Sequence, residues 1–152
     1  MITRNLNLKN AKTLKTLLET AYDIESSYDQ LIAQTKNDDL ILWIDNKRQI
    51  ATDLILDILL ELNDMEITPM EKGSVAGGLN RLWFDLFSSV TLIKDSFVIN
   101  KCRKLDRNFV RTIKKFQKSF AIDDNFKETL DKYRVKIYHY NNPNGSEHLM
   151  VV

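Results

Sequence analysis

Residues 38–63 read DDLILWIDNKRQIATDLILDILLELN, and this stretch decides the fold class. Its apolar residues recur every three or four positions with charged residues between them, which is the pattern of an amphipathic helix. The stretch contains neither glycine nor proline, so no strong helix breaker interrupts it. The pattern predicts a helix that begins at Asp38 or Asp39 and ends near Asn63.

The same periodicity continues on both sides of this stretch. Upstream it predicts a helix from about Asn10, as N-cap, to Gln34, and the short turn that follows makes the first two helices antiparallel neighbours. Downstream it predicts a short helix over 74–90, a helix from Asp95 or Ser96 to about Lys118, and a last helix capped by Asp123 or Asp124.

Composition supports an all-helical domain. Among 152 residues there are four glycines and two prolines, which leaves few tight turns for a sandwich or barrel. We therefore expect an all-α, antiparallel four-helix bundle with the short helix in its crossover connection. One domain is expected over 1–142, followed by a flexible C-terminal tail over 143–152.

Charge and hydropathy exclude several classes of protein. The net charge of +1 gives no bulk attraction to nucleic acid or to anionic membranes. The N-terminus lacks the apolar core of a secretory signal, and the most apolar stretch, 54–62, is too short to span a bilayer. With a single cysteine, Cys102, no intrachain disulfide is possible, and we expect a cytoplasmic protein.

Residues 73–86, GSVAGGLNRLWFDL, carry a Gly-Ser-x-Ala-Gly…Trp-x-Asp-Leu pattern. This segment resembles the signature of an uncharacterised bacterial family of ferritin-like four-helix bundles, a domain of unknown function. The similarity covers roughly residues 8 to 120 and includes Arg48, Cys102 and Asp106. The resemblance implies a ferritin-like fold and transfers no activity. For the small residues 76–78, close helix packing is favoured over anion binding, because no strand or P-loop lysine accompanies them.

The ligands of a conventional di-metal centre are missing. Such bundles need Glu-x-x-His motifs on two helices, but the chain has two histidines, His139 and His148, and neither is in such a motif. Where the resemblance implies an acidic run around Cys102, basic residues stand instead. Glu25 and Asp106 are the remaining candidates for a lone cation such as iron or another divalent metal. The favoured interpretation gives them structural hydrogen bonds or ion pairs, with Arg48 as a candidate partner.

Two rows of opposite charge occur at helical spacing. The basic row consists of Arg103, Arg107, Arg111, Lys114 and Lys118, and the acidic row consists of Asp53, Asp57, Glu61 and Asp64. The favoured interpretation is two solvated helix faces. The alternatives are attraction between the rows, within one bundle or across a homodimer, and binding of a polyanion to the basic row.

These observations favour a non-enzymatic ferritin-like bundle with a structural or protein-interaction role, which has lost a di-metal site. A homodimer or a protein partner is expected, and nucleic acid is not. Cys102 lies on an apolar stripe and is expected to act as a small hydrophobic residue rather than as a reactive thiol. The alternative function is a metal-binding or oxidoreductase bundle with a reduced carboxylate site at Glu25 and Asp106.

Overall fold

A computed structural model describes the backbone of residues 2–65 and 94–139, and the side chains of 9–65 and 94–138. These residues form four helices and no strand, which confirms the predicted all-α class: α1 (Ile2–Gln34), α2 (Asp38–Asp64), α3 (Asp95–Gln117) and α4 (Asp124–His139). The short helix predicted over 74–90, the signature segment 73–86 and the tail predicted over 143–152 lie outside the described residues.

The predicted start of the first helix is wrong. Asn10 was expected to cap it, but α1 begins at Ile2 and passes through Asn10. Residues 2–9 contain neither glycine nor proline to stop the helix. An asparagine inside a helix costs only about 0.7 kcal/mol relative to alanine, so a residue suited to capping is readily tolerated in the interior.

The beginnings of α2 and α3 differ in how they are capped. Asn37 caps α2, because its side-chain oxygen accepts hydrogen bonds from the backbone N–H groups of Asp39 and Leu40. The prediction that Asp95 or Ser96 caps α3 is wrong: the N-cap is Lys94, whose side chain makes no capping hydrogen bond. Asp95 lies in the first turn instead, where its charge favours the positive end of the helix dipole.

The predicted cap of the last helix is confirmed at Asp123. Its Oδ1 accepts a hydrogen bond from the backbone N–H of Asn125 at 3.1 Å, and its carbonyl accepts from the N–H of Lys127 at 3.0 Å. The side-chain bond satisfies an amide group in the first turn of α4 that has no partner within the helix, and the carbonyl bond is the first regular hydrogen bond of the helix.

Side-chain contacts show that α1 and α2 are antiparallel. Arg48 lies 3.4 Å from Asp29, and Thr52 donates a hydrogen bond to Glu25 at 2.6 Å. A step of four residues forward along α2 therefore corresponds to four residues backward along α1. α3 and α4 are likewise joined by a short connection, across which Gln117 Nε2 donates to the backbone oxygen of Lys127.

α2 and α3 run in the same direction. Asn37 and Asp95 meet through a 2.9 Å hydrogen bond at the beginnings of both helices, and Lys47 meets Asp106 about ten residues further along each. Because α2 and α3 begin side by side, the last residue of α2 is separated from the first residue of α3 by the full length of α2. The 27 residues of α2 span about 40 Å.

The apolar stripes of the four helices enclose one hydrophobic core. The apolar residues that recur at helical spacing along α1 and α3 are buried or packed against this core: Leu14, Leu17, Leu18, Ala21, Ile24, Tyr28, Leu31, Ile32, Val98, Cys102, Leu105, Phe109, Ile113 and Phe116. Among the described residues, no helix combines the length and the hydropathy needed to cross a membrane.

Candidate functional site

Polar side chains from three helices meet in the core: Tyr28 from α1, Lys47 from α2 and Asp106 from α3. Their exposed fractions are 0%, 1% and 5%. Lys47 follows Ile44 by three residues and precedes Ala51 by four, so it lies on the buried stripe of α2. Helical periodicity thus forces a long cationic side chain into an apolar interior, where it needs a partner.

Asp106 is that partner. Lys47 Nζ donates to Asp106 Oδ2 at 2.5 Å, and Tyr28 Oη donates to Asp106 Oδ1 at 2.7 Å. Lys47 Nζ also lies 4.5 Å from the centre of the Trp43 ring, close enough for a cation–π interaction. Both carboxylate oxygens are engaged and the pair has no net charge. We call Tyr28, Lys47 and Asp106 the buried triad.

Burial governs the ionisation of this region. It raises the pKa of the Asp106 carboxyl, and the charge and hydrogen bonds of Lys47 and Tyr28 act against that rise. Burial, followed by the charge of Asp106, also raises the pKa of the Tyr28 hydroxyl. Cys102 lies one turn before Asp106 on α3, and burial followed by the charge of Asp106 raises the pKa of its thiol. The thiol is protonated at neutral pH and packs as a small hydrophobic group.

The two carboxylates considered as metal ligands have different partners. Glu25 is 6% exposed and accepts a hydrogen bond from Thr52 Oγ1 at 2.6 Å, whereas Asp106 is held by Tyr28 and Lys47. Arg48 was the expected basic partner for these acids. It is half-buried, its guanidinium pairs with Asp45 and Asp29, and the charge of Glu25 also acts on it, whereas Lys47 is the basic partner of Asp106.

The arrangement of acidic side chains bears on whether this interior could hold metal ions. Across 9–65 and 94–138, no group of three or more His, Cys, Asp or Glu side chains is arranged to hold a metal ion. The Lys47 ammonium already lies against Asp106 and neutralises the charge that a divalent cation would need. The structure therefore places an ion pair at Asp106, one of the two carboxylates considered as metal ligands.

The two charge rows have different surroundings. All five members of the basic row are exposed, whereas Asp53, Asp57 and Glu61 are half-buried on the side of α2 that faces α4. Tyr133 Oη donates a short hydrogen bond to Asp57 Oδ2. Burial, then the nearby charges of Asp123 and Asp64, raises the pKa of Glu61. Within the described ranges the rows form no ion pair with each other.

Sequence analysis missed Lys47, Thr52 and Tyr133 as members of polar contacts. For Lys47 a signal was present, because a charged residue at a core position of an amphipathic helix indicates a buried ion pair. Thr52 and Tyr133 gave no such signal. Their acceptors lie 27 and 76 residues away, so the contacts depend on how the helices are arranged.

Comparison with protein families matches residues 9–119 to a domain of unknown function, DUF2383. The match agrees closely with the range of similarity predicted from the sequence, and it brings no activity with it. Neither the curated proteins nor the solved structures contain a match to the chain.

Proposed function

The chain belongs to the DUF2383 family, and we propose that it is a ferritin-like four-helix bundle with a non-enzymatic, structural or protein-interaction role. The observation that carries this proposal is the ion pair between Lys47 and Asp106. It occupies the interior between α1, α2 and α3, which is the kind of space where metal-binding bundles gather their carboxylates and histidines.

The directions of the helices support the proposed bundle. An antiparallel α1/α2 pair, a parallel α2/α3 pair and a short connection between α3 and α4 agree with a bundle that has one long crossover. This plan assigns the crossover to the connection between α2 and α3.

The charges of the interior support the loss of a di-metal site. A metal pair is held by several carboxylates whose negative charge it compensates. Here a lysine supplies the compensating charge at Asp106, and Glu25 is satisfied by a hydroxyl donor at Thr52. The polar groups of the interior are thus used to hold three helices together, which is a structural task.

Metal content tests the proposal. Protein purified without chelators or an affinity tag should contain iron, manganese and zinc well below one atom per chain. The rival function, a reduced carboxylate site, predicts a stoichiometric metal that is lost in Asp106→Ala and in the volume-conserving Glu25→Gln. Such a metal would overturn the proposal. Asp45→Asn, which alters a half-buried surface carboxylate, is the matched control and should leave the metal content unchanged in either case.

A further inference from the structure

One exposed side of α3 carries an unbroken concentration of positive charge. It comprises the basic row together with Lys104 and Lys115, and all seven side chains are exposed. Between 103 and 118 the sole acidic residue is Asp106, which points into the core. We call these seven residues the basic face.

No acidic side chain in the described part of the chain forms an ion pair with the basic face. Among the residues that the structure describes, none of the seven forms an ion pair, and Arg111 donates a hydrogen bond only to the neutral side chain of Asn108. Like charges four residues apart, such as Arg103 and Arg107, repel each other and weaken the helix. A solvated face needs charge for solubility but does not need a single sign, so this pattern indicates a negatively charged partner.

An exposed aromatic side chain continues the basic face. Phe120 follows Lys118 by two residues in the connection between α3 and α4, and it is 97% exposed. An aromatic side chain with no packing in its own protein is a suitable anchor for a protein interface, where aromatic residues and arginine are enriched. The described part of the basic face presents no aromatic side chain on which the bases of a nucleic acid could stack along the row.

We propose that the basic face and Phe120 bind an acidic helical segment of a partner protein. The positions from Arg103 to Lys118 extend over about 22 Å at steps of three and four residues. A helix lying alongside presents carboxylates at the same steps, and an apolar residue at its end would cover Phe120. This inference rests on the proposed protein-interaction role and specifies the chemistry of the partner.

A second copy of the chain fits the basic face less well than an acidic helix of another protein does. The acidic row has the right spacing, but Asp57 already accepts a hydrogen bond from Tyr133, and its neighbours Asp53 and Glu61 are half-buried against α4. Within the acidic row only Asp64 is exposed, so the other three carboxylates would have to pair with another copy from half-buried positions. The charge complementarity therefore points to a different protein.

A synthetic peptide tests the inference. The probe is a fluorescein-labelled alanine-based helix of about 20 residues with glutamate at three- and four-residue steps and a leucine at one end. We expect fluorescence anisotropy to show binding that weakens with salt, and weaker binding of a peptide with the same composition in scrambled order. Replacing the leucine by alanine should weaken binding to the unaltered protein but not to Phe120→Ala.

A matched pair of charge reversals locates the surface. Lys114→Glu with Lys118→Glu should weaken peptide binding about tenfold or more, since two attractions become repulsions. Lys132→Glu with Lys136→Glu changes the same residue type at the same spacing on exposed positions of α4, and should change binding by less than about twofold. Circular dichroism shows whether both variants keep the helical fold.

Three results would overturn the inference: no peptide binding at low salt, equal weakening by the two double variants, or tighter binding of duplex DNA than of the peptide. None of them bears on metal content, so they leave the metal-free bundle standing. A stoichiometric metal would refute the proposed function without affecting the peptide measurement.

Discussion

Removing the buried cation is the most informative perturbation of this molecule. In Lys47→Met the long unbranched side chain that packs near Trp43 is retained, but Asp106 keeps only the hydrogen bond from Tyr28. Breaking a buried ion pair by removing one partner costs about 3–5 kcal/mol of unfolding free energy. Because total stabilities of domains are about 5–15 kcal/mol, the single variant should be conspicuously less stable.

A double variant separates the loss of stability caused by an uncompensated charge from the loss caused by poorer packing. Lys47→Met with Asp106→Leu removes both charges, and apolar replacements of buried ion pairs are often neutral or stabilising. The Tyr28 hydroxyl is then left without its acceptor, at a cost of about 1–3 kcal/mol. We therefore expect the double variant to be more stable than Lys47→Met by about 2 kcal/mol, which is a strong non-additive coupling.

Urea unfolding followed by far-ultraviolet circular dichroism measures these differences. The midpoint should fall for Lys47→Met at an unchanged slope and recover in part for the double variant. Burial raises the pKa of Asp106, and without Lys47 only the Tyr28 hydrogen bond and the charge of Arg107 oppose that rise. A group whose pKa is raised in the folded state contributes stability that is present at acid pH and is lost as pH rises. The difference in unfolding free energy between Lys47→Met and the unaltered protein should therefore become smaller on acidification. A loss below about 1 kcal/mol, or purely additive effects, would refute the importance of the pair.

Three further expectations follow from contacts outside the buried triad. Tyr133→Phe removes the hydrogen bond to Asp57 and should lower the unfolding free energy measured in urea by about 1–2 kcal/mol. Tyr138→Phe, at an exposed site on the same helix, should cause no measurable loss. Equal losses in the two variants would contradict the hydrogen bond between Tyr133 and Asp57. Asn37→Ala removes the N-cap of α2 and the hydrogen bond from Asn37 to Asp95 at the start of α3. The melting temperature should fall by an amount that corresponds to a loss of about 1–2 kcal/mol in unfolding free energy. An unchanged melting temperature would show that the cap is not formed in solution. Cys102 should react with a disulfide reagent no faster than the protein opens, because its side chain is buried. Burial also raises the pKa of the Cys102 thiol, so the stability that the protonated thiol contributes is complete below about pH 9 and falls as pH rises further. Rapid labelling of the folded protein would contradict its burial.

Periodicity was sufficient for much of the fold because an amphipathic stripe is a local property. Residues 38–63 predicted α2 to within a residue at each end, since Asn37 caps it and no glycine or proline interrupts it. The beginning of α1 was misplaced because Asn10 satisfies the sequence preference of a cap without the backbone geometry of one. The capping preference of a residue indicates where a helix can begin, but the helix continues past that residue when no glycine or proline stops it.

The interior chemistry was less predictable because it depends on contacts between helices. Glu25 and Asp106, selected from the sequence as candidate cation ligands, are both buried, but their partners, Thr52 and Lys47, become evident only when α1, α2 and α3 are assembled. The basic row was apparent from spacing alone. Its complete exposure, and the exposure of Phe120 beside it, required the structure.

Anomalous X-ray diffraction from crystals grown with excess manganese tests the central claim most directly. We expect Lys47 Nζ to lie within hydrogen-bond distance of Asp106, with no anomalous peak among α1, α2 and α3. A manganese peak coordinated by Asp106 and Glu25, with the Lys47 ammonium displaced from the carboxylate, would contradict the account.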